Sequence, residues 1–168
     1  MEKILLAIDG ITPDRKAFRY AVTLCKRIRA ELSIFQIIRP RYYQEYRKKI
    51  RKKGSIMRKF VEGSMVAATF AEAGEHETAL DIMAEASKEI RGLLLESEEA
   101  GVHCHFAIKS GNPEKEIIDY VNDHRNVILA IYDVSDHDVN EAVNIYRKKN
   151  SLAKMTKRLS VPLVTVHN

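Results

Sequence analysis

Short, wholly apolar runs alternate along this chain with stretches whose apolar residues recur every three to four positions. "KILLAID", Lys3 to Asp9, belongs to the first kind. It has no polar residue from Ile4 to Ile8, so it reads as a parallel strand buried on both faces that stops at a carboxylate and a glycine. Thr12 is then placed to cap a helix, with Pro13 at its first position and Ala17, Ala21, Leu24, Cys25 and Ile28 as its inward stripe. "ELSIFQII", Glu31 to Ile38, resumes the strand pattern and completes a β-α-β unit.

The next strand, "VHCHFAIK" from Val102 to Lys109, follows about sixty residues later. The chain between reads as mainly helical, punctuated at Gly54-Ser55 and Gly74, and ends in a long amphipathic helix closed by Gly101. "SGNPEKEIIDYV" predicts a further helix, capped by Asn112, opened by Pro113 and facing inward through Ile117, Ile118 and Val121. "NVILAIY", Asn126 to Tyr132, and "VPLVTVHN" supply a fourth and a fifth strand, with two helical stretches between them. Strands alternating with helices predict a mainly parallel sheet covered on both faces. The expected architecture is an α/β doubly wound single domain over 1–168, with a basic helical insertion over 39–75.

A chain of 168 residues buries roughly 70% of its unfolded surface, enough for a core without a disulfide or a metal. Cys25 and Cys104 lie in apolar segments with no ligand-like spacing, and read as buried structural residues of a reducing compartment. The apolar run after Lys3 is too short for a signal peptide, and no run reaches transmembrane length, so a cytoplasmic location is expected. Net charge is +5, but Arg39 to Lys59 alone holds ten Lys or Arg against Glu45, a local +9 that leaves −4 for the remainder.

"KILLAIDG", "LSIFQII", "SGNPEKEIIDYVNDHRNVILAIYD" and "KMTKRLSVPLVTVHN", in this order, resemble successive pieces of the universal stress protein family. The resemblance covers most of the chain and is weakest between Arg39 and Gly74. It implies a flavodoxin-like, Rossmann-like five-stranded sheet of order 3-2-1-4-5, paired as a homodimer through the C-terminal strand. It also implies a nucleotide crevice with Asp9 on the adenine side, Gly10 beside it, Ile37 as an apolar wall and Gly111 as its floor; from the residues alone Asp9 reads equally as a cap of the following turn or helix. Family members that bind ATP wrap its phosphates with Gly-x-x-Gly, nine residues, then Gly-Ser or Gly-Thr, because glycine lets several backbone N–H groups approach one anion. Here those positions fall on Tyr132, Ser135 and, for the Gly-Ser pair, on or near Asn150-Ser151, and all seven glycines lie at or before Gly111. The crevice, with Tyr132, Asp133 and Ser151 in place of the glycine loop, reads as degenerate, and ATP binding in the family manner is not expected.

The acidic loop after the fourth strand has its own explanation. Ser135 and Asp138 match a capping box, with Val139, Val143 and Tyr146 as the following apolar face and Arg147, Lys148 and Lys149 in the last turn. Carboxylates at a helix start repel phosphate; a divalent cation on Asp133, Asp136, His137 and Asp138 is the competing use of the same residues. His103 and His105 share one strand face and can clasp zinc, but no third ligand stands at a recognisable spacing, so no metal is assigned. No catalytic constellation is apparent, and no cofactor is required.

"RPRYYQEYRKKIRKKGSIMRKF" combines a tyrosine stripe with basic residues, as a solvated helix or as a surface for nucleic acid or an anionic membrane. The expected function is a non-enzymatic, cytoplasmic stress-response or regulatory module acting through an unidentified protein partner. One alternative is an adenine-nucleotide binder, or slow ATPase, using a non-glycine loop. The other is a module that binds an anionic partner through Arg39 to Lys59.

Overall fold

The structure is a computed structural model that describes residues 1–11, 13–40, 76–134 and 141–166. In chain order its elements are β1 (Lys3–Asp9), α1 (Arg15–Ile28), β2 (Glu31–Ile38), α2 (His76–Glu99), β3 (Cys104–Ser110), α3 (Pro113–Asp123), β4 (Val127–Val134), α4 (Glu141–Arg158) and β5 (Leu163–Val166). All strand pairs are parallel, and the sheet order is β3-β2-β1-β4-β5. This is the doubly wound parallel sheet expected from the alternating pattern, in the strand order that the family resemblance implied.

The central strand explains its own composition. Ile4, Leu6 and Ile8 pack on one face against Ala17, Phe18, Ala21 and Cys25 of α1 and Ile90 and Leu93 of α2. Leu5 and Ala7 pack on the other, with Ile117, Ile118 and Val121 of α3 and Met155 of α4. With both faces covered, no position from Ile4 to Ile8 tolerates water. Each large aliphatic side chain so buried favours folding by about 1.5 to 3 kcal/mol over an exposed one.

A register shift matters to everything at the far end of the sheet. Lys3 pairs with Val127 but Ile4 with Leu129, so Ile128 is an extra residue in β4. The shift changes which residues share a face. Val127, Ala130 and Tyr132 join the α3 side, while Leu129 and Ile131 join the α1 side.

Several local expectations are corrected. Helix α1 is capped by Asp14, whose side chain accepts from the Lys16 N–H at 2.7 Å, so Pro13 precedes the cap instead of opening the helix. Thr12 lies outside the described residues. The C-terminal end of α1 closes on Arg29 in the left-handed region, φ 59°. Between β4 and β5 the described chain holds one continuous helix where two stretches were expected, because no Gly or Pro interrupts Glu141 to Arg158. Arg147 to Lys149 are therefore mid-helix, and Lys157 and Arg158 occupy the last turn. The capping box at Ser135 and Asp138 and the insertion from residue 41 to 75 fall outside the described residues. Helix α3 follows its expectation: the Asn112 side chain accepts from the Glu114 and Lys115 N–H groups, with Pro113 in the first turn. Cys25 is buried as expected, but Cys104 is only partly so. Burial raises both thiols, to about 11 and about 12 respectively, and leaves them unreactive. Among the described residues, no helix is long and apolar enough to cross a membrane.

Candidate functional site

The C-terminal ends of β1, β2 and β4 form the place where an open parallel sheet holds ligands. Asp9 ends β1 there, on the same face as Leu5 and Ala7, and is 8% exposed. Arg39, the residue after β2, donates to both of its oxygens: Nε to Oδ1 at 3.2 Å and Nη2 to Oδ2 at 2.7 Å. The Tyr132 hydroxyl donates to Oδ2 at 2.9 Å. Asp9 therefore neither caps α1 nor stands open; a fork of two charge-assisted bonds and a phenol hold it. Any ligand donor aimed at this carboxylate must displace or share these bonds.

The electrostatics follow from burial and proximity. Burial works against the Arg39 charge, but the hydrogen bonds and charge of Asp9 outweigh it and hold the guanidinium more firmly protonated than usual. Burial, then the negative field of Asp9, pushes the Tyr132 phenol well above its ordinary value, so it stays a neutral donor. Tyr132 reaches Asp9 because the extra residue Ile128 brings it to that face.

Asp133, the next residue, points to the α1 side. Its Oδ2 accepts from the Asp14 N–H at 2.7 Å, tying the end of β4 to the start of α1. Burial raises its carboxyl to about 6; the Asp14 N–H opposes the rise, and the charges of Asp14 and Asp9 add to it. Asp133 is thus bound to the protein's own backbone; Asp136, His137 and Asp138, its possible partners around a cation, lie outside the described residues.

The other expected crevice residues divide. Gly10 adopts φ 125°, which only glycine takes without strain, and donates its N–H to the Ile37 carbonyl at 3.0 Å. Ile37 is fully buried beside it. Gly111 donates its N–H to the Ile38 carbonyl, and a Cβ there would lie 2.8 Å from Glu116 Oε1. Glu116 is buried and pairs with Lys109 Nζ at 2.6 Å, so Gly111 clears room for this carboxylate. Ser151 lies within α4, its hydroxyl 3.4 Å from Glu114 Oε2 on α3. Gln36 was missed from sequence: it is fully buried, and its amide donates to the Gly10 and Ile11 carbonyls, both at 2.7 Å, fixing the loop after β1. A lone polar residue inside the apolar run "IFQII" was the available signal. The hydroxyls of Ser33, Ser97 and Ser151 meet Tyr120, the Val102 carbonyl and Glu114, none of them a histidine.

Comparison with known proteins bears on this geometry. The model of the universal stress protein family matches residues 1–132. A search of curated proteins found no significant match. Among solved structures, the chain resembles the universal stress protein UspA from Lactobacillus plantarum, with 14% identity, TM-score 0.64 and 99% of each chain covered. It also resembles the universal stress protein from Archaeoglobus fulgidus in complex with dAMP, with 12% identity, TM-score 0.57 and coverage of 99% of this chain and 98% of that one. An Arabidopsis thaliana family protein with AMP bound matches with 15% identity, TM-score 0.51 and coverage of 99% and 91%.

Proposed function

Because this chain belongs to the universal stress protein family, we propose that it is a non-enzymatic regulatory module of that family whose nucleotide crevice is occupied by its own side chains. The observation that carries this reading is the two-pronged contact of Arg39 with Asp9, the residue that the family resemblance assigns to the adenine side. The absence of glycine after Gly111 supports it, since the family's phosphate loop cannot be built from this sequence. In this reading the protein works in the cytoplasm, in keeping with two unpaired cysteines, and acts through protein contacts. It pairs with a second copy through β5, a four-residue edge strand whose side chains are all half-buried. Light scattering at a working concentration of about tens of micromolar checks the pairing; a monomeric mass removes it.

A second reading is favoured by the same arginine. Relatives of this fold hold AMP and dAMP, and a guanidinium at the crevice can turn from Asp9 to a phosphate. Calorimetric titration of the full chain with AMP and with ATP and Mg²⁺, together with assay of co-purified nucleotide, separates the two. The first reading expects no micromolar affinity in the wild type and a gain of AMP affinity in Arg39→Ala. Micromolar binding by the wild type that Arg39→Ala abolishes overturns it in favour of the second.

A further inference from the structure

At the opposite end of the sheet, three side chains converge that no part of the crevice uses. Leu32 pairs with Cys104 and Ser33 with His105, while the Leu32 N–H donates to the His103 carbonyl at 2.9 Å. Cys104 packs with Leu32 and Ile34 on the α1 side, so His103 and His105 project to the other side. Their rings meet edge to face, with centroids 4.6 Å apart. Glu31, first residue of β2, lies on that side too, its Oε2 3.4 Å from His105 Nε2. One donor atom from each of Glu31, His103 and His105 lies within 4.8 Å of the others.

The geometry points to a divalent metal site of the zinc class on Glu31, His103 and His105. Two imidazoles and a carboxylate form a donor set that suits zinc, and bonds of about 2.0 to 2.1 Å to a tetrahedral ion place donors about 3.4 Å apart. The pair Glu31 and His105 already stands at 3.4 Å. The wider 4.8 Å limit closes by rotation of the two exposed histidine side chains, while Glu31 lies on the inner strand. The ion ties the edge strand β3 to β2 and keeps water as its fourth ligand. Lys3 Nζ, 3.8 Å from the same Glu31 oxygen, is the cation that the metal displaces. The site is separate from the crevice: Glu31 and Ile37 are six residues apart along β2, roughly 20 Å at strand rise.

The test is calorimetric titration of the tag-free full chain with zinc chloride in a non-chelating buffer. Cobalt(II) absorption serves as an independent report of tetrahedral nitrogen and oxygen ligation. One ion per chain is expected in the wild type, with affinity reduced about tenfold or more by His103→Ala and by Glu31→Gln. Cys104→Ser is expected to leave it unchanged, and Lys3→Met to strengthen it. Zinc is also expected to raise the urea midpoint of the wild type but not of His103→Ala, which shows folding and binding in one measurement. Absence of saturable zinc binding by the wild type overturns the site, as does binding that survives both His103→Ala and Glu31→Gln.

Discussion

Arg39 grips Asp9 by both carboxylate oxygens, so the end of the central strand is neutralised by the first residue beyond its neighbour. The side chains are 26% and 11% exposed respectively, which places the pair between a surface bridge and a buried one. Asp9→Asn and Arg39→Met should each lower stability by about 2 kcal/mol, since each strands a partly buried charge. The double variant should lose less than the sum. Urea unfolding of the four proteins measures the coupling; strictly additive losses would show that the two side chains stabilise the fold independently.

Arg29 ends α1 in the left-handed region at φ 59° without being glycine. Its side chain is exposed, and the N–H of this residue bonds to the Cys25 carbonyl. Replacing it with glycine relieves the backbone strain and should raise stability by about 0.5 to 1 kcal/mol. An unchanged or lowered denaturation midpoint would mean that the arginine side chain contributes more than the strain costs.

Gly111→Ala should cost about 1 kcal/mol, because the added methyl meets Glu116 Oε1 at 2.8 Å and pushes on its pair with Lys109. The penalty should vanish in a Glu116→Ala background. If it persists there, the backbone and not the carboxylate is what excludes a side chain.

Asp133 makes a pH prediction. Its folded value of about 6 lies above the ordinary 3.8, so the folded chain binds this proton more tightly than the unfolded one. Its favourable contribution is complete below the ordinary value and is lost as pH rises through about 6. Asp133→Asn keeps an acceptor for the Asp14 N–H without the charge. Urea melts should show a shallower loss of stability than wild type between about pH 4 and pH 6, and greater stability at about pH 8. Superimposable profiles would assign the titration to another group.

The parts of this fold readable from sequence are those decided by local chemistry. The continuous apolar run of β1 follows from burial on both faces, and the Asn112-Pro113 start of α3 from the needs of a helix end. What escaped depends on residues distant in sequence. Asp14 caps α1 while its own N–H is held by Asp133, 119 residues away, and nothing near Thr12 announces that. The place of Asp9 at the C-terminal end of β1 was legible, but its partner Arg39 looked like part of a basic run. Glu31 completes the histidine pair only because β2 and β3 align, a fact of register. The extra residue Ile128, which brings Tyr132 to Asp9, lies within an apolar strand with no glycine or proline to mark it.

The sheet order also governs how the chain is made. β1 pairs with β2 across a single intervening helix, yet its other edge waits for β4, Val127 to Val134. Until β4 is made, the central strand thus presents an unpaired row of backbone donors and acceptors along one edge. A nascent chain halted before β4 therefore offers its future centre as an open template for foreign strands, a hazard that ends only when Val127 to Val134 emerge.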